Sequence, residues 1–335
     1  MSHEHPLLAI VGPTAAGKSS LAMALAARWN GEIVNCDSVQ IYRGFDIGTG
    51  KVPAGERRGI AHHLLDIADP EQVFTAGDFR HAALRVLSEV RQRRRLPIIV
   101  GGTGLYLRAL LLGLFEGPQR SEALRDRLKL IGARRSPEFL HRMLARLDPP
   151  AAARIHPRDL PKVIRALEVC FLARQPMTAM QAHGREGLHG FRVMKVGLDP
   201  NRQQLAQRIH DRVTQMFQAG ILEEVRVMLS RADPSRIKAL GAIGYRQAWA
   251  VLAGGMTLAD AVRATETATR RYAKRQMTWF RREKDVEWFR GFGDDPKIQQ
   301  SVSAWLEKRL PMSADREESG GNDYPALAVY DGERT

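Results

Sequence analysis

The chain has 335 residues, 44% of them hydrophobic, and a formal net charge of +14. That length and apolar content suffice for one large or two medium domains with a buried core, and no apolar run reaches membrane-spanning length, so no membrane partner is expected. A positive excess of this size points to a polyanionic partner such as nucleic acid, or else to a generally Arg-rich composition. Both cysteines, Cys36 and Cys170, sit in apolar surroundings outside any C-x-x-C pair. A reduced, cytoplasmic setting without a thiolate zinc site is therefore expected.

The apolar run Leu7–Val11 predicts a strand, and Lys18–Trp29 a helix. Between them lies Gly12-Pro13-Thr14-Ala15-Ala16-Gly17-Lys18-Ser19, which fits the phosphate-cradling pattern G-x-x-x-x-G-K-[ST] in its proper place between strand and helix. Its glycines permit close approach of backbone amides to an anion, and the helix dipole favours that anion. Lys18 adds a point charge, and the Ser19 hydroxyl is a candidate Mg²⁺ ligand. The loop predicts a diphosphate or triphosphate ligand without saying which.

Glu32–Cys36 predicts a second strand, followed by Asp37-Ser38-Val39-Gln40. An Asp at that place orients a metal, takes a proton from a nucleophile, or caps a turn. His62-His63 has no third ligand at a useful spacing and is read as structural. Asp78–Arg95 predicts an amphipathic helix whose terminal Arg91, Arg93, Arg94 and Arg95 complement its dipole. Pro97–Val100 is a third strand, leading into Gly101-Gly102-Thr103-Gly104 and a helix from about 105 to 112. That glycine turn fits a ligand contact and a tight strand-to-helix connection equally well.

From about 117 to 189 only helical segments are evident: Ser121–Ile131, Pro137–Arg146, Pro149–Ile155 and Asp159–Ala173. Phe191–Leu198 returns to a strand, Asn201–Ala219 and Ile221–Arg231 are helices, Thr257–Arg282 is one long helix, and Asp285–Phe289 a last strand. The expected architecture is α/β: a P-loop-type parallel sheet flanked by helices, formed by 1–116 and 190–311, with an all-helical insertion at 117–189. The polar tail 312–335 is expected to be disordered.

The long helix ends in Arg270, Arg271, Lys274, Arg275, Gln276, Met277, Thr278, Trp279, Phe280, Arg281 and Arg282. Cations crowded on two adjoining faces repel one another, and a nucleic-acid backbone relieves that repulsion. Trp279 and Phe280 are candidates for base stacking or for core packing.

These blocks, together with Asp37 through Lys51, His62–Asp66, Val100–Tyr106, Arg165–Val169 and Gly244–Arg246, stand in the order found in the tRNA dimethylallyltransferases, which the chain resembles from about 7 to 290. The resemblance implies transfer of the dimethylallyl group of dimethylallyl diphosphate to N6 of the adenosine 3′-adjacent to the anticodon, with Mg²⁺ assisting and the base flipped out of the tRNA anticodon stem-loop. It implies that Asp37 is the general base, that Thr14 and Thr103 lie at the reaction centre, and that Arg212 holds the diphosphate with residues 12–19. It also implies tRNA contacts at Asp37, Ser38, Val39, Gln40 and Thr103. Further contacts are implied at Pro161, Lys162, Val163, Ile164 and Arg165, at Gly241, Ala242, Ile243, Gly244, Tyr245 and Arg246, and at Lys274 through Arg281. Pro161-Lys162 departs from the family's usual Gln-Arg, which keeps charge but loses one planar fork. A monomer is expected. The rival readings are a small-molecule kinase using ATP and a non-catalytic RNA-binding module.

Overall fold

The computed structural model describes residues 4–182, 184–231 and 233–310; the expected tail lies outside them. Six strands form one parallel sheet: β1 (His5–Val11), β2 (Gly31–Asn35), β3 (His62–His63), β4 (Leu96–Val100), β5 (Phe191–Leu198) and β6 (Val286–Phe289), in the order β3-β2-β4-β1-β5-β6. Between β1 and β5 run the helices α1 (Lys18–Arg28), α2 (Ala76–Gln92) and α3 (Gly104–Leu112), then α4 (Glu122–Arg134), α5 (Pro137–Leu147), α6 (Pro149–Arg154), α7 (Leu160–Ala173) and α8 (Met177–Ala182). After β5 come α9 (Arg202–Gln218), α10 (Ile221–Arg231), α11 (Tyr245–Leu252) and α12 (Leu258–Phe280), and α13 (Pro296–Glu307) follows β6. Among the described residues no helix is long and apolar enough to cross a membrane.

Side-chain alternation along the strands divides the sheet into two cores. Leu8, Ile10, Ile33, Ile98, Val100 and Val196 pack with Leu21 and Leu25 of α1 and Val302 and Leu306 of α13. Leu7, Ala9, Val11, Val34 and Ile99 point the other way, onto Phe79 and Leu87 of α2, Tyr106 and Leu110 of α3, and Phe280 of α12. Because both faces are covered, the strands read as continuous apolar runs. A third core gathers α9, α10 and α11 around Ile41, Tyr42 and Phe45, and a fourth holds α4 to α8 together.

Parallel register brings the strand ends to one edge. Ile10 pairs with Val100, Asn35 with Val100, and Val11 with Gly197, so the segments after β1, β2, β4 and β5 emerge side by side. The order reverses around β1 and β4, which places the open crevice of the sheet there.

Within the insertion, Ser121 and Ser136 cap α4 and α5, and Asp148 Oδ1 accepts from Ala151 N at 3.0 Å to cap α6. The same carboxylate accepts from Thr178 N at 2.8 Å, fixing α8 against α6. Glu168 is fully buried and binds Ser121 N at 2.8 Å, Arg125 Nε at 3.0 Å and Arg165 Nη1 at 2.7 Å. Burial pushes its carboxyl up, and these donors outweigh burial and hold it below the ordinary range.

The sequence pattern missed β3, α8, α11 and α13. β3 has two residues and no alternation to read. α13 was hidden behind a polar capping stretch, where Asp295 caps the helix and Pro296 opens it.

His63 and Arg93 serve one carboxylate. Glu32 is buried at the start of β2; Arg93 donates to it through Nε (2.9 Å) and Nη2 (2.7 Å), and His63 Nε2 lies 2.6 Å from Oε2. Hydrogen bonds from Arg93 and then His63 outweigh burial and push the carboxyl down to about 2. Since the folded value lies below the unfolded one, the stabilisation is complete above about pH 4.5 and is lost as pH falls toward about 2. Glu32→Gln is expected to cost roughly 3 kcal/mol at pH 7, a gap that narrows below pH 4.5, as measured by urea unfolding across pH.

Candidate active site

The loop after β1 has the backbone of an anion cradle. Gly12 has φ 142°, Gly17 has φ 79°, and Ala15 holds a left-handed φ of 63° between them. A Cβ at Gly17 would lie 2.8 Å from Asp294 Oδ1 and 2.9 Å from Gly293 N. Gly293 N donates to Ala16 O at 2.8 Å, so the segment after β6 braces the loop from behind. α1 has neither a side-chain cap nor an acidic residue in its first turn, which leaves its first amides available to a ligand.

Lys18 folds back over the loop, donating to Pro13 O at 2.7 Å and Gly12 O at 3.1 Å. Burial pushes its ammonium down to about 8, Asp37 pulls it up, and Arg212 pushes it down again. Arg212, on α9, is also lowered by burial, with Asp37 opposing, and its Nη2 donates to Thr49 O at 2.8 Å. Among the described residues neither cation forms an ion pair. Two cations therefore share one nearby carboxylate, and the pocket has charge to spare for an anion.

Asp37 sits two residues past the end of β2, after the buried Cys36. Its Oδ1 accepts from Val39 N at 2.9 Å and Gln40 N at 3.4 Å, while Oδ2 has no hydrogen-bond partner among the described residues. The capping role and the chemical role thus fall on different oxygens: one fixes the carboxylate and the other is free to accept a proton.

Thr103 stands across from it. Its Oγ1 accepts from Ser38 N at 3.0 Å and donates to Ser38 Oγ at 3.3 Å. The neighbouring glycines are demanded by close approach. A Cβ at Gly101 would collide with Cys36 O, one at Gly102 with Gln276 Nε2, and one at Gly104 with Trp279 Nε1.

Gln276 joins the two glycine loops. From α12 its Oε1 accepts from Thr14 N at 2.8 Å and its Nε2 donates to Gly102 O at 3.0 Å. Tyr272, one helical turn earlier, lies close to Gln276 and Thr103, and its phenol is pushed up by burial and then by the charge of Asp37. Sequence reasoning did not select Tyr272; its spacing of four from Gln276 on a helix running to the sheet was the available signal.

The RNA-contact expectations divide. Arg271, Lys274, Arg275, Thr278, Trp279 and Arg282 line an open groove of about 500 Å³. Arg108 lies over the Trp279 ring at 4.6 Å, and Arg281 is paired with Asp199 at 3.2 Å. Pro161, Lys162, Gly241 and Arg246 are exposed; Ala242, Ile243, Met277 and Arg165 are partly exposed, and Gly244 is buried. Arg165 is engaged with Glu168. Val163, Ile164, Tyr245 and Phe280 are buried. Val163 and Ile164 fill the insertion core, Tyr245 packs on Phe45, and Phe280 lies 1% exposed under the sheet.

A sequence model described as IPP transferase matches residues 40–283. A tRNA dimethylallyltransferase of Solibacter usitatus is 50% identical over 305 residues, covering 91% of this chain and 99% of that protein. The chain belongs to the IPP transferase family. Two solved structures of the family extend the likeness to three dimensions. The full-length tRNA isopentenylpyrophosphate transferase of Bacillus halodurans is 37% identical with a TM-score of 0.65, covering 91% of this chain and 98% of that one. A eukaryotic dimethylallyltransferase acting on tRNA gives a TM-score of 0.77 at 26% identity, covering 93% of this chain and 81% of that one. The family's fold is thus the fold described above, with its parallel sheet and flanking helices.

The protonated form of Lys18 is the one that pairs with phosphate. Pyrophosphate affinity is expected to be level below pH 8 and to fall above it. Lys18→Met should weaken binding by about 10-fold to 100-fold and abolish that fall. Calorimetric titration at pH 7 to 9.5 makes the check.

Proposed function

We propose that this site transfers the dimethylallyl group of dimethylallyl diphosphate to N6 of the adenosine 3′-adjacent to the tRNA anticodon. The supporting observation is the Asp37 carboxylate, whose Oδ2 has no hydrogen-bond partner among the described residues, beside a pocket in which Lys18 and Arg212 form no direct ion pair among those residues. The diphosphate lies against the amides of residues 12–19 and these two cations. As the allylic C–O bond breaks, its electron pair leaves with the diphosphate, where the donors neutralise the developing charge. The N6 lone pair forms the new C–N bond, and the N6 proton passes to Asp37. Thr103, held by Ser38, faces the same space.

Mg²⁺ fits the donor set. The Ser19 hydroxyl is exposed and unpartnered, and among the described residues no group of three or more His, Cys, Asp or Glu side chains converges to hold a metal. That is the pattern for an ion held by one protein oxygen plus phosphates and water. When bound, it supplies charge neutralisation on the leaving group.

The acceptor reaches the site past the groove on α12, where the cations meet the tRNA backbone and the extruded adenine passes toward Asp37. Arg271 and Lys274 make no ion pair among the described residues, which leaves both for phosphate. The enzyme acts in the cytoplasm as a monomer; its free, buried cysteines accord with that compartment.

Purified protein, unmodified tRNA, labelled dimethylallyl diphosphate and Mg²⁺ are expected to yield labelled tRNA. Label that never reaches RNA overturns the reading, and ATP hydrolysis with a small acceptor would mark a kinase instead. Asp37→Asn should lower kcat by about 100-fold or more with tRNA affinity retained; unaltered turnover removes Asp37 as the base. Arg271→Ala with Lys274→Ala should weaken tRNA binding and reduce the slope of log affinity against log salt by roughly 1.5. Filter binding from low to moderate salt reads that slope, and an unchanged slope places the RNA elsewhere.

A further inference from the structure

Among the described residues Arg212 is hydrogen-bonded to one carbonyl, and that carbonyl belongs to a turn with an elaborate support. Thr49 O accepts from Arg212 Nη2 at 2.8 Å and from Gln40 Nε2 at 3.2 Å. The turn that presents it has three consecutive amides satisfied by two side chains from distant helices. Glu224 of α10 accepts from Asp46 N at 3.2 Å and Ile47 N at 2.8 Å. Tyr245, at the start of α11, accepts from Gly48 N at 3.1 Å and donates to Glu224 at 2.5 Å.

The fit leaves no slack. A Cβ at Gly48 would collide with the Tyr245 ring, and one at Gly50 would lie 2.6 Å from Arg212 Nη2, where φ is also +61°. Tyr245 is fully buried, its ring 4.6 Å from that of Phe45. Burial, and then the charge of Glu224, keep its phenol protonated and hence a donor. None of these residues is among those that line the groove on α12.

We propose that Glu224 and Tyr245 are positioning residues for the prenyl donor: they lock the 46–50 turn so that Thr49 O holds the Arg212 guanidinium where the leaving diphosphate binds. The inference rests on the reading above, in which Arg212 binds that diphosphate. It assigns Tyr245 to the donor and not to RNA. Among the described residues Arg212 is in no direct ion pair, so much of its charge is left for the ligand, and the carbonyl restrains it without neutralising it.

The test compares Tyr245→Phe and Glu224→Gln in the wild-type and Arg212→Ala backgrounds. Measured quantities are the Kd for pyrophosphate, the KM for dimethylallyl diphosphate, the Kd for tRNA and the Tm. Each substitution is expected to raise the pyrophosphate Kd and the donor KM by about 5-fold in wild type. The tRNA Kd should stay within about twofold, and neither substitution should weaken pyrophosphate binding further once Arg212 is gone. Tyr245→Phe retains the ring and its packing, so it keeps the test sound where Glu224→Gln folds poorly. Unchanged pyrophosphate affinity in Tyr245→Phe, or equal losses with and without Arg212, overturns the proposal. Pyrophosphate affinity left unchanged by Arg212→Ala overturns the donor role of Arg212 itself, and the proposal with it.

Discussion

Lys18 and Arg212 stand near one carboxylate, Asp37, and neither is neutralised by a direct ion pair. Such an arrangement is costly without ligand, because two cations repel each other where water is scarce. The structure meets that cost with carbonyl oxygens. Gly12 O and Pro13 O take Lys18, and Thr49 O takes Arg212. A carbonyl satisfies a donor without cancelling its charge, so under the proposed function both cations keep their charge for the diphosphate.

Those carbonyls are useful only if their backbones do not move. Their segments, and the glycine turn after β4 beside them, are packed closely enough that glycine is the residue admitted: Gly17 against Asp294, Gly48 against Tyr245, Gly102 against Gln276. The three contacts come from three different parts of the chain, the loop after β6, the start of α11 and the C-terminal end of α12. A rigid sheet edge supplies the first approximation to the site, and elements after β5 supply the final positioning.

That division explains what could be read from sequence. The cradle at residues 12–19, the strand ends at Asp37 and Gly101, and the parallel sheet were legible because each is a local pattern tied to a strand boundary. The roles of Gln276 and Tyr272 were not, because a polar residue within a basic helix gives no sign of which loop it will meet. Tyr245 and Phe280 show the converse case. Both stand in segments associated with RNA, and only packing reveals that Phe280 closes the sheet core while Tyr245 reaches Gly48. Arg93 and His63 likewise read as a dipole complement and an isolated pair until β2 and β3 bring them to Glu32.

α12 unites both sides of the site. Tyr272, Gln276 and Phe280 follow one another at intervals of four and face inward, to Thr103, Thr14 and the sheet core. Arg271, Lys274, Arg275 and Thr278 occupy the adjoining face and line the groove. The hydrogen bond from Thr14 N to Gln276 Oε1 therefore starts from the same stiff helix that carries the outer cations. Under the proposed function, α12 thus serves both substrates at once: its outer cations meet the RNA, while Gln276 on its inner face ties the cradle of the diphosphate to the glycine turn after β4.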